Sequence, residues 1–399
     1  MRIAPDHDPE PDSGTDIESR LADVYGERID CIEKITLHGK RPRTIGYNAR
    51  IPTHGPRISD PVVRLRTSGG GHGISWSGLA REEAEQLVGR TVGELFRLPE
   101  GCTAEARCID LPLWDLVARL LNMPLYRLLG ARGSRQVPLY DASIYIDDLE
   151  LDDNAARRLF ADEVASGWEH GYRHFKLKVG RGARWMETEA GLRRDALAVR
   201  AVRDAAGVDA RIMIDANMGN TLNTATQLLE LCADCDLYWF EEPFAEDRAL
   251  NEALQIFIEE NNWDVLVADG EFAPPPNFFD LVREGWIDVV QHDFHALGLT
   301  WWRETAATIE GWHGRCAPHT WGSYIERYAH AHFAASVPNY EMLEASPARM
   351  PGVIDDDWVM KDGCLLVPET PGTGFDVEPG VFEEGLEVGG YRVTAERSR

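Results

Sequence analysis

The chain is 399 residues long, 44% hydrophobic and of formal net charge −26, enough apolar material for one large α/β domain and a smaller one, with a charge that argues against nucleic acid or an anionic membrane as partner. No apolar run approaches the roughly 18 residues of a bilayer-spanning helix; the greasiest stretch, Leu111 to Leu129, is broken by Asp115, Arg119 and Arg127, and the polar start from Met1 to Asp16 lacks the apolar segment of a secretory leader, so a cytoplasmic location is the expectation. The seven scattered cysteines are odd in number, against a disulfide framework, and Cys232 and Cys235 form a lone CxxC without the second pair a zinc site needs.

In chain order, residues 1–28 read as a polar extension. Apolar alternation over Ile29–Leu37 and Val62–Ser68 predicts two strands separated by a long loop, followed by a turn at Gly69–Gly71. No Lys-Ser/Thr follows that glycine run, so it is a poor phosphate loop. A helical region runs from about Ala80 to Leu129 and closes at Gly130. From Val137 the texture changes to short runs rich in Val, Ile, Leu, Tyr and Phe alternating with helical patterns. The predicted strands are Pro138–Ile146, His174–Val179, Arg211–Asp215, Leu237–Phe240, Val265–Ala268, Ile287–Gln291, Arg315–Pro318 and Tyr340–Leu343. Eight strands with helical patterns between most of them predict a closed parallel barrel. A doubly wound open sheet would carry a glycine-rich fingerprint after its first strand, and none is present. The tail (Lys361–Gly363, Leu365–Val367, Pro371–Gly372) reads as strand and turn, returning to the N-terminal domain and making the small domain discontinuous.

Polar residues stand at the C-terminal ends of the predicted strands, where sites in such barrels lie. Lys178, Asp215, Glu241, Glu271, Asp293, His319 and Glu344 follow one another at gaps of 37, 26, 30, 22, 26 and 25 residues, each about one βα unit. Asp215, Glu241 and Glu271 form a hard, all-oxygen set suited to Mg²⁺. Lys176 and Lys178 are two of only five lysines in the chain; period 2 points both towards the barrel mouth, where neighbouring positive charge is expected to lower the pKa of Lys178 towards the working pH. His319 comes five strands later, facing Lys178 across the ring, with Asp293 beside it to hold the imidazole. His292, His295 and His313 lack such support and read as surface or packing residues.

These residues resemble the enolase superfamily, and within it the mandelate racemase-like branch. The likeness is carried by Lys176-x-Lys178, Asp215-x-Asn217, Glu241-Glu242-Pro243, Gly270-Glu271, Asp293, His319 and Met342-Leu343-Glu344, with support from Leu113-Trp114-Asp115-Leu116, Leu128-Leu129-Gly130 and Pro371-Gly372-Thr373-Gly374. It covers nearly the whole chain after about residue 28. The resemblance implies a (β/α)7β TIM-type barrel over 137–355, capped by an α+β domain from 29–136 and completed by 356–399, and a homo-oligomer. It further implies Mg²⁺ on Asp215, Glu241 and Glu271, with Asp269 as an alternative third ligand. Lys178 would act as base on one face and Asp293–His319 on the other, Lys176 would neutralise an enediolate, Asn217 would touch it, and Glu344 would hydrogen-bond a carboxylate oxygen. An α-proton of a carboxylate is removable only where concentrated positive charge meets the intermediate. Members of this superfamily meet that demand with a Lys or His base and Mg²⁺ that stabilises the enediolate.

The expected reaction is dehydration of a sugar acid, with racemisation or epimerisation as the alternative. A muconate-type cycloisomerase would place lysines on both faces, which His319 argues against, and a non-catalytic binding barrel leaves the Lys-x-Lys pair without a purpose. The loop from His38 to Ser59 holds Lys40, Arg41, Arg43, Arg50 and Arg57 and no acid, beside Tyr47, Asn48, Thr53 and His54. It reads as a cationic lid suited to a polyhydroxylated acid, with Arg50 and His54 as substrate-binding candidates.

Overall fold

The computed structural model describes residues 14–271 and 276–395. The polar extension read over 1–28 lies outside the described residues as far as residue 13. From Gly14 to Gly26 the chain is helical, and Leu21, Val24 and Tyr25, at helical spacing, pack into the apolar cluster of the cap. The Tyr25 hydroxyl accepts from the Leu98 amide at 3.0 Å. This half of the extension is therefore a docked element.

The cap is built on a four-stranded antiparallel sheet ordered Tyr391–Thr394, Ile29–Ile45, Gly55–Thr67, His72–Trp76. The last strand of the chain pairs with the first, Cys31 opposite Thr394 and Lys34 opposite Tyr391. The buried Asp115 carboxylate joins three segments: it accepts from the Ile74 amide at 2.8 Å, the Thr373 amide at 2.6 Å and Arg119 Nε at 2.7 Å. Such a carboxylate is saturated with donors, which is what makes its burial tolerable.

The long loop expected between 38 and 59 is corrected by the structure. The two strands continue as a hairpin to Ile45 and from Gly55, with His38 opposite Ser59 and Lys40 opposite Arg57. Burial alternates along it, with Ile35, Leu37, Gly39 and Arg41 inward and Thr36, His38, Lys40 and Pro42 outward. Hydrophobicity does not follow burial, because the inward positions include Gly39 and Arg41; hence the misreading. Gly39 is demanded by a close approach: a Cβ there would lie 2.5 Å from the Arg349 carbonyl. The strand is bonded to that segment, Lys40 N–H to Arg349 O at 3.0 Å and Arg349 N–H to Lys40 O at 2.9 Å.

Beneath the cap lie eight parallel strands: β1 (Gln136–Ile144), β2 (Phe175–Lys178), β3 (Ile212–Asp215), β4 (Leu237–Glu241), β5 (Leu266–Asp269), β6 (Val289–Val290), β7 (Arg315–Cys316) and β8 (Leu343–Ala345). Each pairs with the next from β1 to β7, and β8 pairs with β1. Between β7 and β8, Cys316 N–H donates to Asn339 O and Glu341 N–H to Cys316 O, both at 2.9 Å. Among the described residues, seven helices alternate with the strands: α1 (Asp153–Glu169), α2 (Thr188–Ala206), α3 (Leu222–Leu231), α4 (Arg248–Glu260), α5 (Phe278–Glu284), α6 (Phe294–Glu310) and α7 (Glu326–Ala334). Asp152, Thr221 and Asp247 cap α1, α3 and α4 through their side chains.

The ring is plugged by a layer that includes Tyr140, Met213, Trp239, Val289, Ala317 and Met342, so it is a packed core and not a pore. Period 2 then dictates what stands one layer higher on the same strands: Asp215, Glu241, Gln291, His319 and Glu344. The site is the next storey of the barrel core.

Candidate active site

Lys176 lies fully buried within β2; its ammonium donates to Glu241 and lies 3.0 Å from Glu344 Oε1 and 3.4 Å from Asp215 Oδ2. Lys178, two residues on, donates to Asp215. One carboxylate oxygen each from Asp215, Glu241 and Glu271 falls within 4.8 Å of the others. Asp269 is outside that group; its Oδ1 accepts from the Gly270 amide at 2.7 Å. Gly270 sits at φ +108°, where a Cβ would meet Phe278 at 2.6 Å and His292 at 2.9 Å, so only glycine allows the chain to turn here between Asp269 and Glu271.

Glu241 is held from both sides, accepting from Trp239 Nε1 at 3.1 Å and Gln291 Nε2 at 2.9 Å. Asn217 (φ +43°) and Glu242 (φ +41°) are both left-handed, a conformation that costs a non-glycine residue roughly 1 kcal/mol or more and concentrates at functional sites. They support each other: Asn217 Nδ2 donates to Glu242 Oε2 at 3.1 Å, and Met218 N–H to Glu242 O at 2.7 Å. The Asn217 amide also donates to Asp215 Oδ1 at 2.9 Å, fixing that carboxylate.

Crowded acids disturb one another's titration. Burial pushes Glu241 up to about 8, with Asp215, Glu344 and Glu271 adding to burial against the pull of Lys176. Glu242 rises to about 9 through burial and then through Glu271, Asp215 and Glu241. Asp215 goes the other way: burial would raise it, but Lys178 and Lys176 hold it below the usual carboxylate range. This surplus of buried negative charge, all oxygen, fits a small divalent cation such as Mg²⁺ held by Asp215, Glu241 and Glu271.

The chain's own groups do not by themselves lower the Lys178 pKa; the expected fall counts Mg²⁺ beside it as well. Burial does push it down, but the attraction of Asp215 and Tyr145 outweighs burial and the repulsion of Lys176, and the ammonium is held above its ordinary value.

On the opposite wall, His319 Nδ1 is 2.5 Å from Asp293 Oδ1, and its Nε2 lies 3.5 Å from Glu271 Oε1 and 3.7 Å from Glu344 Oε2. Burial would lower the imidazole, but Glu271, Glu344 and the Asp293 hydrogen bond lift it to about 10. Glu344 lies between the walls, with Lys176 on one oxygen and the Thr320 amide, at 2.9 Å, on the other. Burial alone would raise its carboxyl; Lys176, His319 and that amide bring it down to about 2.

The structure divides the lid candidates. The His54 ring is 4.8 Å from that of Tyr145, whose ring lies 5.2 Å from Lys178 Nζ, and His54 Nδ1 is 2.8 Å from Gly46 O. Arg50 is not brought to this cluster. It is exposed, its Nη1 3.5 Å from Met218 Sδ, and it lines a rim cavity with Arg184 and Thr221. Of the histidines expected to pack or face solvent, His292 is fully buried against Phe278, His295 lies 3.1 Å from Glu326 and over Trp76, and His313 is exposed. Sequence reasoning missed Gln291, Tyr145 and Trp321. Gln291 is two residues before Asp293 and Trp321 two after His319, so period 2 was the available signal.

Residues 159–381 match the family described as enolase C-terminal domain-like. The chain belongs to this family. Its fold is that of the enolase superfamily, a TIM-type barrel under a capping domain. It is similar to a mutant galacturonate dehydratase from Geobacillus sp. complexed with Mg, with a TM-score of 0.89 and 33% identity over 93% of this chain and 98% of that one. Galacturonate dehydratase from Geobacillus sp. complexed with D-galacturonate and 5-keto-4-deoxy-D-galacturonate matches with a TM-score of 0.87 and 34% identity over 92% and 99%. Among curated relatives, 3,6-anhydro-alpha-L-galactonate cycloisomerase of Streptomyces coelicolor is 30% identical over 68% of this chain and 69% of its own. No helix among the described residues is long and apolar enough to cross a membrane.

Proposed function

We propose that this chain dehydrates a sugar acid, and that a hexuronate of the galacturonate type is its substrate. The observation that carries the reading is one acid/base group on each side of a three-carboxylate set: Lys178 on β2, and the Asp293–His319 pair beyond β6 and β7. Two such groups are what elimination of water requires, one to take a proton and one to give it.

Asp215, Glu241 and Glu271 would hold Mg²⁺, which supplies Lewis-acid stabilisation of the negative charge developing on a substrate carboxylate. Lys178 takes the proton from the α-carbon. Lys176, on the same side of the strand, offsets the charge of the resulting enediolate. The carbon–oxygen bond at the β-carbon then breaks, protonated His319 gives its proton to the departing hydroxyl, and the enol left behind becomes the keto-deoxy acid. Asp293 holds the imidazole by Nδ1, so that Nε2 faces the reacting atoms. Glu344 accepts a hydrogen bond at the substrate carboxylate, and Asn217 and His54 bind along its length. Asp215, which accepts from Lys178, would hold the cation when one is bound, and Lys178 released from it would be the base.

The finer architecture belongs to the same reading: a (β/α)7β barrel over 137–355, with 29–136 and 356–399 as the cap, assembled as a homo-oligomer. Dehydration is preferred to cycloisomerisation because, among solved structures, the galacturonate dehydratase likeness is the stronger: 34% identity with a TM-score of 0.87, against 23% and 0.67 for a 3,6-anhydro-D-galactonate cycloisomerase from Zobellia galactanivorans.

The test is a panel of hexuronates, aldonic acids and aldaric acids incubated with the Mg²⁺-loaded protein, read as keto-acid formation. D-galacturonate should give a keto-deoxy product, chelation should abolish its formation, and Mg²⁺ should restore it. Epimerised substrate without keto acid would make the protein an epimerase; no change in any panel member would sink the reading.

A further inference from the structure

A cavity of about 810 Å³ opens between the hairpin of the cap, the segment that follows β8 and the end of α1. Its wall carries Lys40, Arg41, Arg57, Arg349, His38 and His170, and no carboxylate contributes to it. In a chain with 67 acidic and 41 basic residues, that composition is the reverse of the rest.

Strand register explains how the charges meet. Lys40 lies directly opposite Arg57 on one side and is bridged to Arg349 on the other. Residues directly opposite on paired strands point the same way, so three cations form a row across three adjacent segments. Like charges in that position destabilise a ribbon on their own. None of the three takes part in an ion pair among the described residues, whereas Arg43, further along the hairpin, pairs with Glu163 at 3.2 Å.

Arg41 touches the cavity only from the other face of the hairpin, where it points inward and is 6% exposed. Its guanidinium lies 4.3 Å over the Trp321 ring, Nη1 donates to Arg57 O at 3.1 Å, and Nε is buried without a partner. No carboxylate pairs with it among the described residues. Its charge is turned to the Trp321–Tyr145 side, where Asp60 and Asp141 attract it, so the charge the cavity presents is that of the row. The Ser59 hydroxyl and the two imidazoles add hydrogen-bonding groups, and the volume is that of a small-molecule site.

We propose that this cavity is a second binding site, separate from the barrel mouth, for a small, multiply charged oxyanion: a phosphate ester or a polycarboxylate. None of the residues of the acid cluster lines it. Recognition comes from the Arg57–Lys40–Arg349 row.

The experiment is equilibrium dialysis of the full Mg²⁺-loaded chain against inorganic phosphate and, separately, tricarballylate, with the Arg57→Gln/Arg349→Gln double variant in parallel. Both substituted side chains are exposed, and the variant should keep the wild-type activity and melting temperature. The wild type should bind at least one probe saturably, more weakly as salt rises, and the variant should lose at least about tenfold in affinity. Phosphate bound in preference assigns the phosphate ester, tricarballylate the polycarboxylate. The proposal is overturned if neither probe binds up to about 10 mM, or if wild type and variant bind alike. It is equally overturned if sedimentation shows that the variant changes the number of subunits, which would make the wall a contact between copies.

Discussion

At the barrel mouth, Lys176, Lys178, Asp215, Glu241, Glu344 and the His319–Asp293 pair are all buried or nearly so, and each faces an opposite charge within 4 Å. Along the outer face of the hairpin, Lys40, Arg57 and Arg349 are exposed and face one another. Both regions gather charge, but burial makes the first a single electrical unit: Glu344 connects Lys176 of β2 to His319 beyond β7. In the second, solvent screens the repulsion, which is how such a row survives. A change at the mouth should therefore spread through every partner, while a change on the hairpin should stay local.

The largest effect expected from this contrast is on the two walls of the mouth. Lys178→Ala should reduce dehydration by roughly 10²–10⁴-fold and stop exchange of the α-proton for deuterium in D₂O. His319→Asn should reduce dehydration comparably yet leave that exchange in place, because the β2 side still removes the proton. Mass spectrometry of recovered substrate separates the two. Exchange persisting in Lys178→Ala would reverse the assignment of the walls.

The mouth was legible in the sequence because a barrel repeats: seven chemistry-bearing residues, each about one βα unit from the next, can meet only at one end of a ring. The strands around them were legible within a few residues, β3 as Ile212–Asp215 against an expected Arg211–Asp215, for example. The hairpin was not. Its strand contains Gly39, Arg41, Pro42 and Arg43, and its partner Pro56 and Pro61, so neither apolar alternation nor strand propensity marks it. What holds it straight is tertiary, the backbone bridge to Arg349 and the Arg43 contacts with Ser143 O at 2.7 Å and Glu163 at 3.2 Å. No local pattern encodes a partner over a hundred residues away.

That Arg43 tie gives an intermediate effect. Burial pushes the Glu163 carboxyl up to about 8, Arg43 pulling against it and Asp147 and Asp141 adding to it. The unfolded carboxyl ionises near 4.5, so between 4.5 and 8 the native state holds more protons than the unfolded one. Stability from this group is then complete below about 4.5, declines as pH rises to about 8, and levels off. Glu163→Gln removes the decline. Urea midpoints at pH 5, 7 and 8.5 should show the variant gaining on the wild type with rising pH, by a few kcal/mol at about 1.4 kcal/mol per unit. Parallel profiles would mean that Glu163 is ionised throughout and that the Arg43 pair is an ordinary one.

The smallest effects lie where hairpin and mouth meet, and they decide how far the lid belongs to the site. His54 is one aromatic ring from Lys178, its imidazole kept below its usual pKa by burial, and by Lys178 and Arg41, against the Gly46 carbonyl. A neutral imidazole held there can hydrogen-bond a sugar hydroxyl, and His54→Ala should cost about 10–100-fold in kcat/KM. Arg50 is only four residues away but looks outward, over Met218. Arg50→Ala should change kcat/KM by less than about threefold, since an exposed cation at the rim contributes little once salt screens it. If Arg50→Ala instead weakened substrate as much as His54→Ala, the rim would have to fold in over the mouth during turnover, and the division between a buried mouth and a solvent-screened hairpin would hold only for the resting enzyme.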